Sequence, residues 1–183
     1  MSQLRIIAGK YKGRRITFNP NSSLRPSTNR SKETLFNWLM MNIEGSRCLD
    51  MFAGTGSLGI EAISRGAELV VFCEQNKKNF INLKENISNL DCLNKSKLLN
   101  IDSLNEKNQI LDGPFDIIFL DPPFRKGLVH ESLKKLESQV LIKADTLIYI
   151  EREKESGEIP DGWKEVKYKY EGEKKYSLVV KNE

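Results

Sequence analysis

Histidine and cysteine are nearly missing: His130 stands alone among 183 residues, beside only Cys48, Cys73 and Cys92. The three cysteines are odd in number and lack metal-ligand spacing, so no metal is expected and they read as buried, reduced thiols. Long apolar runs are missing too. Nothing approaches the roughly 20 residues that span a bilayer, and Met1 to Arg5 hold no apolar signal core, which predicts a cytoplasmic protein. Repeats and low-complexity tracts are absent, and the length leaves no room for a second large domain. What is present, 39% hydrophobic residues, is adequate for one core.

Acids are scarce at the start. Residues 1–33 hold Arg5, Lys10, Lys12, Arg14, Arg15, Arg25, Arg30 and Lys32 against Glu33 alone, a local +7 on a chain whose total is +4. The remainder is therefore mildly acidic, which points to a polyanion gripped from one side, although a solvated tail would show the same charge. Gly9 and Gly13, flanked by Leu4/Ile6 and Ile16/Phe18, favour a hairpin with strands at 4–8 and 14–18. Arg5, Lys10, Lys12, Arg14 and Arg15 are then the phosphate-contacting residues of a basic extension, 1–23, ahead of a catalytic core, 24–183.

The core is organised around Leu49-Asp50-Met51-Phe52-Ala53-Gly54-Thr55-Gly56-Ser57, read as a buried strand, a glycine turn and a helix start. Two glycines permit unusual backbone angles and let a ligand approach the main chain, while the helix offers free amides. Gly54, Gly56 and Gly59 also satisfy the dinucleotide fingerprint, so spacing leaves the ligand open. Asp50 argues for a ligand with ammonium and sulfonium charges, such as S-adenosylmethionine, over a pyrophosphate. The run Leu69 to Cys73 ends in Glu74, where an α/β nucleotide fold places the carboxylate for a ribose hydroxyl pair.

Ser27 or Thr28 can cap a helix whose buried face is Leu35, Phe36, Leu39, Met40 and Ile43, with Trp38 packing against it. Residues 76–90 form a second amphipathic helix, and Lys97 to Ile101 a strand ending at Asp102, which either meets an adenine amino group or caps a helix. Phe115 to Leu120 is a further strand, closed by Asp121-Pro122-Pro123-Phe124. Neither proline donates a hydrogen bond, so this turn is a fixed set of acceptors suited to a substrate amino group, with Phe124 stacking on the base. An exposed aspartate in a turn is the plainer reading. Val129, Leu133, Leu136 and Val140 mark another helix, Thr146 to Glu151 a strand, and Trp163 to Tyr170 with Tyr176 to Lys181 an antiparallel pair. The expected architecture is α/β: a Rossmann-like open sheet of about seven strands, five of them alternating with helices, with a terminal antiparallel pair and an N-terminal β-hairpin and helix.

Asp50 to Gly56 resembles the first motif of the seven-stranded S-adenosylmethionine-dependent methyltransferases, and Asp121 to Phe124 the catalytic motif of those acting on exocyclic amines. Arg5 to Arg14, Arg25-Pro26-Ser27-Thr28 leading to Glu33 to Leu39, and Leu58-Gly59-Ile60-Glu61-Ala62 together resemble the bacterial 16S rRNA guanine-N2 methyltransferase family known as RsmD. The resemblance covers nearly the whole chain. It implies a cofactor site of Asp50, Phe52, Gly54, Gly56, Glu74 and Asp102, closed by Arg25 and Thr28, and amine recognition by Asp121, Pro122, Pro123 and Phe124. It also implies 16S rRNA as partner, bare or in a partly assembled subunit, and a monomer. Asn29, Ser31 and Ser177 depart from the family pattern, which has aspartate, an apolar residue and glycine there. A DNA adenine-N6 methyltransferase shares the amine chemistry, but no insert supplies a target-recognition domain. A dinucleotide oxidoreductase or a non-catalytic assembly factor are the other readings.

Overall fold

The computed structural model describes residues 2–18, 29–123, 127–155 and 159–182. Two short strands, β1 (Ser2–Arg5) and β2 (Arg15–Phe18), pair antiparallel with Arg5 opposite Arg15. The hairpin is therefore present, with shorter strands and a wider turn than the sequence suggested. After α1 (Asn29–Trp38) come β3 (Arg47–Asp50), α2 (Ser57–Ser64), β4 (Leu69–Cys73), α3 (Lys77–Asn89), β5 (Ser96–Leu99) and β6 (Ile117–Leu120). The chain continues through α4 (Leu128–Ser138), β7 (Leu147–Glu153), β8 (Trp163–Glu171) and β9 (Lys174–Lys181).

Seven of these strands make one sheet in the order β5-β4-β3-β6-β7-β9-β8. Strands β3 to β7 are parallel, and β9 runs antiparallel between β7 and β8. One face buries α1, α2, α3 and the hairpin, through Phe36, Ile60, Leu83 and Ile16 among others. The opposite face buries α4 with Leu133 and Leu136. Burial raises the Cys48 and Cys73 thiols to about 12, which keeps both protonated and inert.

Three expectations are corrected. Helices do not alternate with all five parallel strands, because residues 100–116 join β5 to β6 without one. Asp102 and Asn105 accept the Leu104 and Lys107 amides, each at 3.0 Å, so side chains satisfy the backbone in turns that compete with a helix. Lys135 of α4 holds this loop by donating to the Asn105 and Asn108 carbonyls (2.8 and 3.1 Å). Next, α1 ends at Trp38, so Met40 lies outside it and is 66% exposed, whereas Trp38 packs on the core as expected. Finally, α4 ends at Ser138. Val140 adopts φ 54° and Leu141 donates back to the Leu136 carbonyl at 2.9 Å, a left-handed helix stop that turns Val140 outward.

The hairpin shares the core of the sheet, and one carboxylate latches it. Glu61, fully buried in α2, accepts the Ile7 and Ala8 amides (2.9 and 3.0 Å) and the Arg65 Nε (2.9 Å). Ser64 accepts the Tyr11 amide through its hydroxyl and the Lys10 amide through its carbonyl (3.0 and 2.7 Å). Gly9, at φ +78°, passes so close that a methyl group there would lie 1.8 Å from the Ser64 oxygen. Lys32 is buried beneath the hairpin, donating to the Arg5 carbonyl at 3.2 Å. Burial lowers its pKa, and the Glu61 charge opposes that shift.

Candidate active site

Asp50 lies opposite Phe119 in the parallel β3–β6 pair, and the Met51 amide extends the ladder to the Phe119 carbonyl at 3.1 Å. The segments that leave these strands, Met51 to Gly56 and Asp121 to Pro123, therefore emerge from the same edge of the sheet, one strand spacing of about 4.8 Å apart. Here the strand order also reverses: β3 leads outward to β4, and β6 leads the other way to β7. Open α/β sheets bind ligands at that crevice.

The turn after β3 is built by hydrogen bonds to its own strands. Gly54 and Gly56 take φ of 54° and 79°, open to glycine and strained for other residues. The Gly54 amide donates to Glu74 Oε2 at 2.8 Å, and the Asn76 amide to Oε1 at 2.6 Å, so the β4 tip carboxylate spans both turns. Asn100 donates to the Glu74 carbonyl at 2.7 Å, binding the end of β5 to the same place. Gly59 lets α2 settle on the sheet, since a methyl group there would stand 2.2 Å from the Phe72 ring. Ser57 heads α2 with a buried hydroxyl that has no hydrogen-bond partner among the described residues. Sequence reasoning passed over Ser57, though a serine placed directly after the second glycine is the signal. A buried hydroxyl without a partner fits a ligand with acceptor oxygens, whereas the Ser57 and Gly59 amides already donate to Thr55 Oγ1 (3.3 Å) and Asp50 Oδ2 (3.1 Å).

Asp50 is 2% exposed, and its Oδ2 accepts the Gly59 amide at 3.1 Å. Burial raises its pKa to about 7; the Gly59 amide opposes this and the Glu74 charge adds to it. The folded value exceeds the ordinary 3.8, so the unfolded chain loses this proton first. Its contribution to stability is then lost as pH rises from about 4 to about 7, and is level above that. Asp50→Asn keeps an acceptor for Gly59 without the charge. Melting curves of the ligand-free protein are expected to show the variant gaining on the original across that window; parallel curves would contradict the assignment.

Asp121 is half-buried, Pro122 buried and Pro123 exposed. Behind them stand Tyr149 and Tyr176, stacked at 6.3 Å and 13° and both buried. Burial drives the Tyr149 hydroxyl well above its usual pKa, assisted by the charges of Glu151 and Asp121. That hydroxyl donates to Glu151 at 3.4 Å, and Glu151 pairs with Lys174. Phe52 is half-buried at the β3 tip, and Asp102 is exposed beyond β5 in its turn, where it caps no helix. Phe124, Arg25, Thr28 and Ser27 lie outside the described residues.

Arg5, Lys10, Lys12, Arg14 and Arg15 are all exposed, and none is in an ion pair among the described residues. The hairpin turn does not reach the crevice. It sits on the carboxyl ends of α2 and α3, which return to the far edge of the sheet, roughly 12 Å away along an eight-residue helix. Arg14 donates to the Asn89 carbonyl at 2.6 Å, capping α3, and Arg15 to Gln3 at 2.9 Å. Sequence alone could not show that Arg14 has this structural partner.

Comparison with known proteins agrees with this geometry. Residues 4–180 match the family described as conserved hypothetical protein 95. The ribosomal RNA small subunit methyltransferase D of Buchnera aphidicola subsp. Acyrthosiphon pisum is 45% identical over 163 residues, 88% of this chain and 85% of that protein. The protein of the same name from Haemophilus influenzae is 42% identical, covering 96% and 93%. The solved structure of the putative methyltransferase yhhF from Escherichia coli superimposes with a TM-score of 0.89 at 36% identity, over 98% of both chains. With two strand tips forming one crevice and this likeness along almost its entire length, the chain belongs to the conserved hypothetical protein 95 family, that of the ribosomal RNA small subunit methyltransferases D.

Proposed function

We propose that the protein transfers a methyl group from S-adenosylmethionine to the exocyclic N2 amine of a guanine in 16S rRNA. The observation that carries this reading is the adjacency of the glycine turn after β3 and the acidic diproline turn after β6. S-adenosylmethionine, when bound, supplies an electrophilic methyl group on a sulfonium. The Ser57 hydroxyl suits its carboxylate, Asp50 its positive charges, Glu74 its ribose and Asp102 its adenine, with Phe52, Gly54 and Gly56 shaping the turn and Arg25 and Thr28 closing over it. An ionised Asp50 favours a cation, so cofactor affinity rises with pH up to about 7.

Asp121 and the Asp121 and Pro122 carbonyls accept the hydrogens of the substrate amine, which pyramidalises the nitrogen and directs its lone pair away from the ring system and toward the methyl group. A conjugated amine is thereby made nucleophilic by position and electrostatics, with no covalent enzyme intermediate. The proton released after transfer passes through Asp121 to water. Because an amine inside a helix cannot enter such a crevice, the guanine is unpaired or extruded, with Phe124 beneath it. The exposed cations of the hairpin contact phosphates farther along the RNA, at the other end of α2. The whole chain acts as one unit, a cytoplasmic monomer meeting bare RNA or a partly assembled subunit.

The decisive experiment incubates the protein with labelled S-adenosylmethionine and small-subunit rRNA, then maps the modified nucleotide by mass spectrometry. One N2-methylguanine is expected. Methylation of duplex DNA instead, or binding of a dinucleotide with no methyl transfer, would refute the reading.

A further inference from the structure

Outside the crevice, the most unusual surface is one face of the edge strand β8. Tyr168 and Tyr170 are 59% and 50% exposed, although large aromatics are ordinarily covered. Their rings meet edge to face at 5.8 Å. Lys175 reaches across both, at 4.9 and 5.6 Å from the ring centroids, and Lys154 lies 5.7 Å from that of Tyr170. Lys175 is fixed by Glu165 at 2.6 Å, so the tyrosines are held from beneath and keep their outer surfaces free.

The register ties this face to the crevice. Tyr168 lies opposite Ser177, Ser177 opposite Ile150, and Ile150 opposite Leu120, the residue before Asp121. Tyr170, Lys175 and Arg152 form the next row outward, level with Pro122. Three strand steps separate β8 from β6, about 14 Å, or roughly four nucleotides at the 3.4 Å rise of a stacked strand.

We propose that Tyr168 and Tyr170, flanked by Lys154, form a stacking platform for the single-stranded RNA next to the target base. Rings with a free face and a cation close by suit bases and phosphates together, without regard to sequence. The platform explains how a chain whose basic turn lies at the far edge of the sheet can still hold RNA beside its crevice. It rests on the reading of the protein as an RNA methyltransferase.

The test measures binding of a labelled, unstructured oligoribonucleotide, and separately of S-adenosylmethionine, to the whole protein. Tyr168→Ala with Tyr170→Ala is expected to weaken RNA binding tenfold or more with cofactor affinity unchanged, while the paired change to phenylalanine retains most of it. Lys154→Glu, which leaves both rings in place, should weaken binding less and reduce its salt dependence. RNA affinity unchanged in the alanine pair and in Lys154→Glu would overturn the platform, whether or not activity on an assembled subunit fell; such a fall would assign the face to a protein of that particle. Should the original protein bind neither cofactor nor RNA, the enzymatic reading itself fails, a result distinct from loss of the platform alone.

Discussion

Replacing Asp121 with alanine is expected to lower methyl transfer to 16S rRNA by about 100- to 1000-fold, the usual loss when one preorganised group aimed at developing charge is removed. The carboxylate stands at the tip of β6, one strand away from the glycine turn, whose Gly54 amide is held by Glu74. Cofactor affinity should therefore hold. Asp121→Asn keeps one acceptor oxygen and should fall between the two. Single-turnover rates with saturating RNA isolate the chemical step; an alanine variant that turned over near the original rate would remove Asp121 from the mechanism.

Glu61→Ala should have the largest effect on stability. It leaves the Ile7 and Ala8 amides and Arg65 without their acceptor and takes away the negative charge nearest buried Lys32. Removing one partner from a buried ionic group costs about 3–5 kcal/mol. For a chain of this size that is a fall in melting temperature on the order of 10 °C. Hydrogen exchange at Ile7 and Ala8 should rise before that of the central strands, because the hairpin loses its latch while β3 and β6 keep their ladders. A variant as stable as the original, with those amides still protected, would show that the carboxylate is not what holds the hairpin.

The elements legible in the sequence were those whose signals are local. Leu49 to Ser57 and Phe115 to Pro123 each pair an apolar strand with residues of restricted or unusual backbone freedom, and both appear where their patterns placed them. The register that sets Asp50 opposite Phe119 is a long-range fact, and only the fold supplied it. Apolar spacing misled at helix ends, since Met40 and Val140 continue the period after the backbone has turned away. Glu61 read as part of a motif with no task of its own, because its partners in the hairpin lie more than fifty positions earlier. Ser177 likewise has a partner that no local pattern announces: its hydroxyl donates to Glu165 on β8 at 2.5 Å.

Among the described residues, the nine-residue β8 leaves one long backbone edge of the sheet unpaired. An open edge of that length invites a second molecule to add its own strand, the first step toward fibres and insoluble aggregates. Here Lys164 and Lys167 are exposed along it, and the pairing slips at Val166, so an incoming strand would meet repulsion and a mismatched ladder. Neutralising the same lysines should therefore favour clumping even if the fold and its chemistry are untouched.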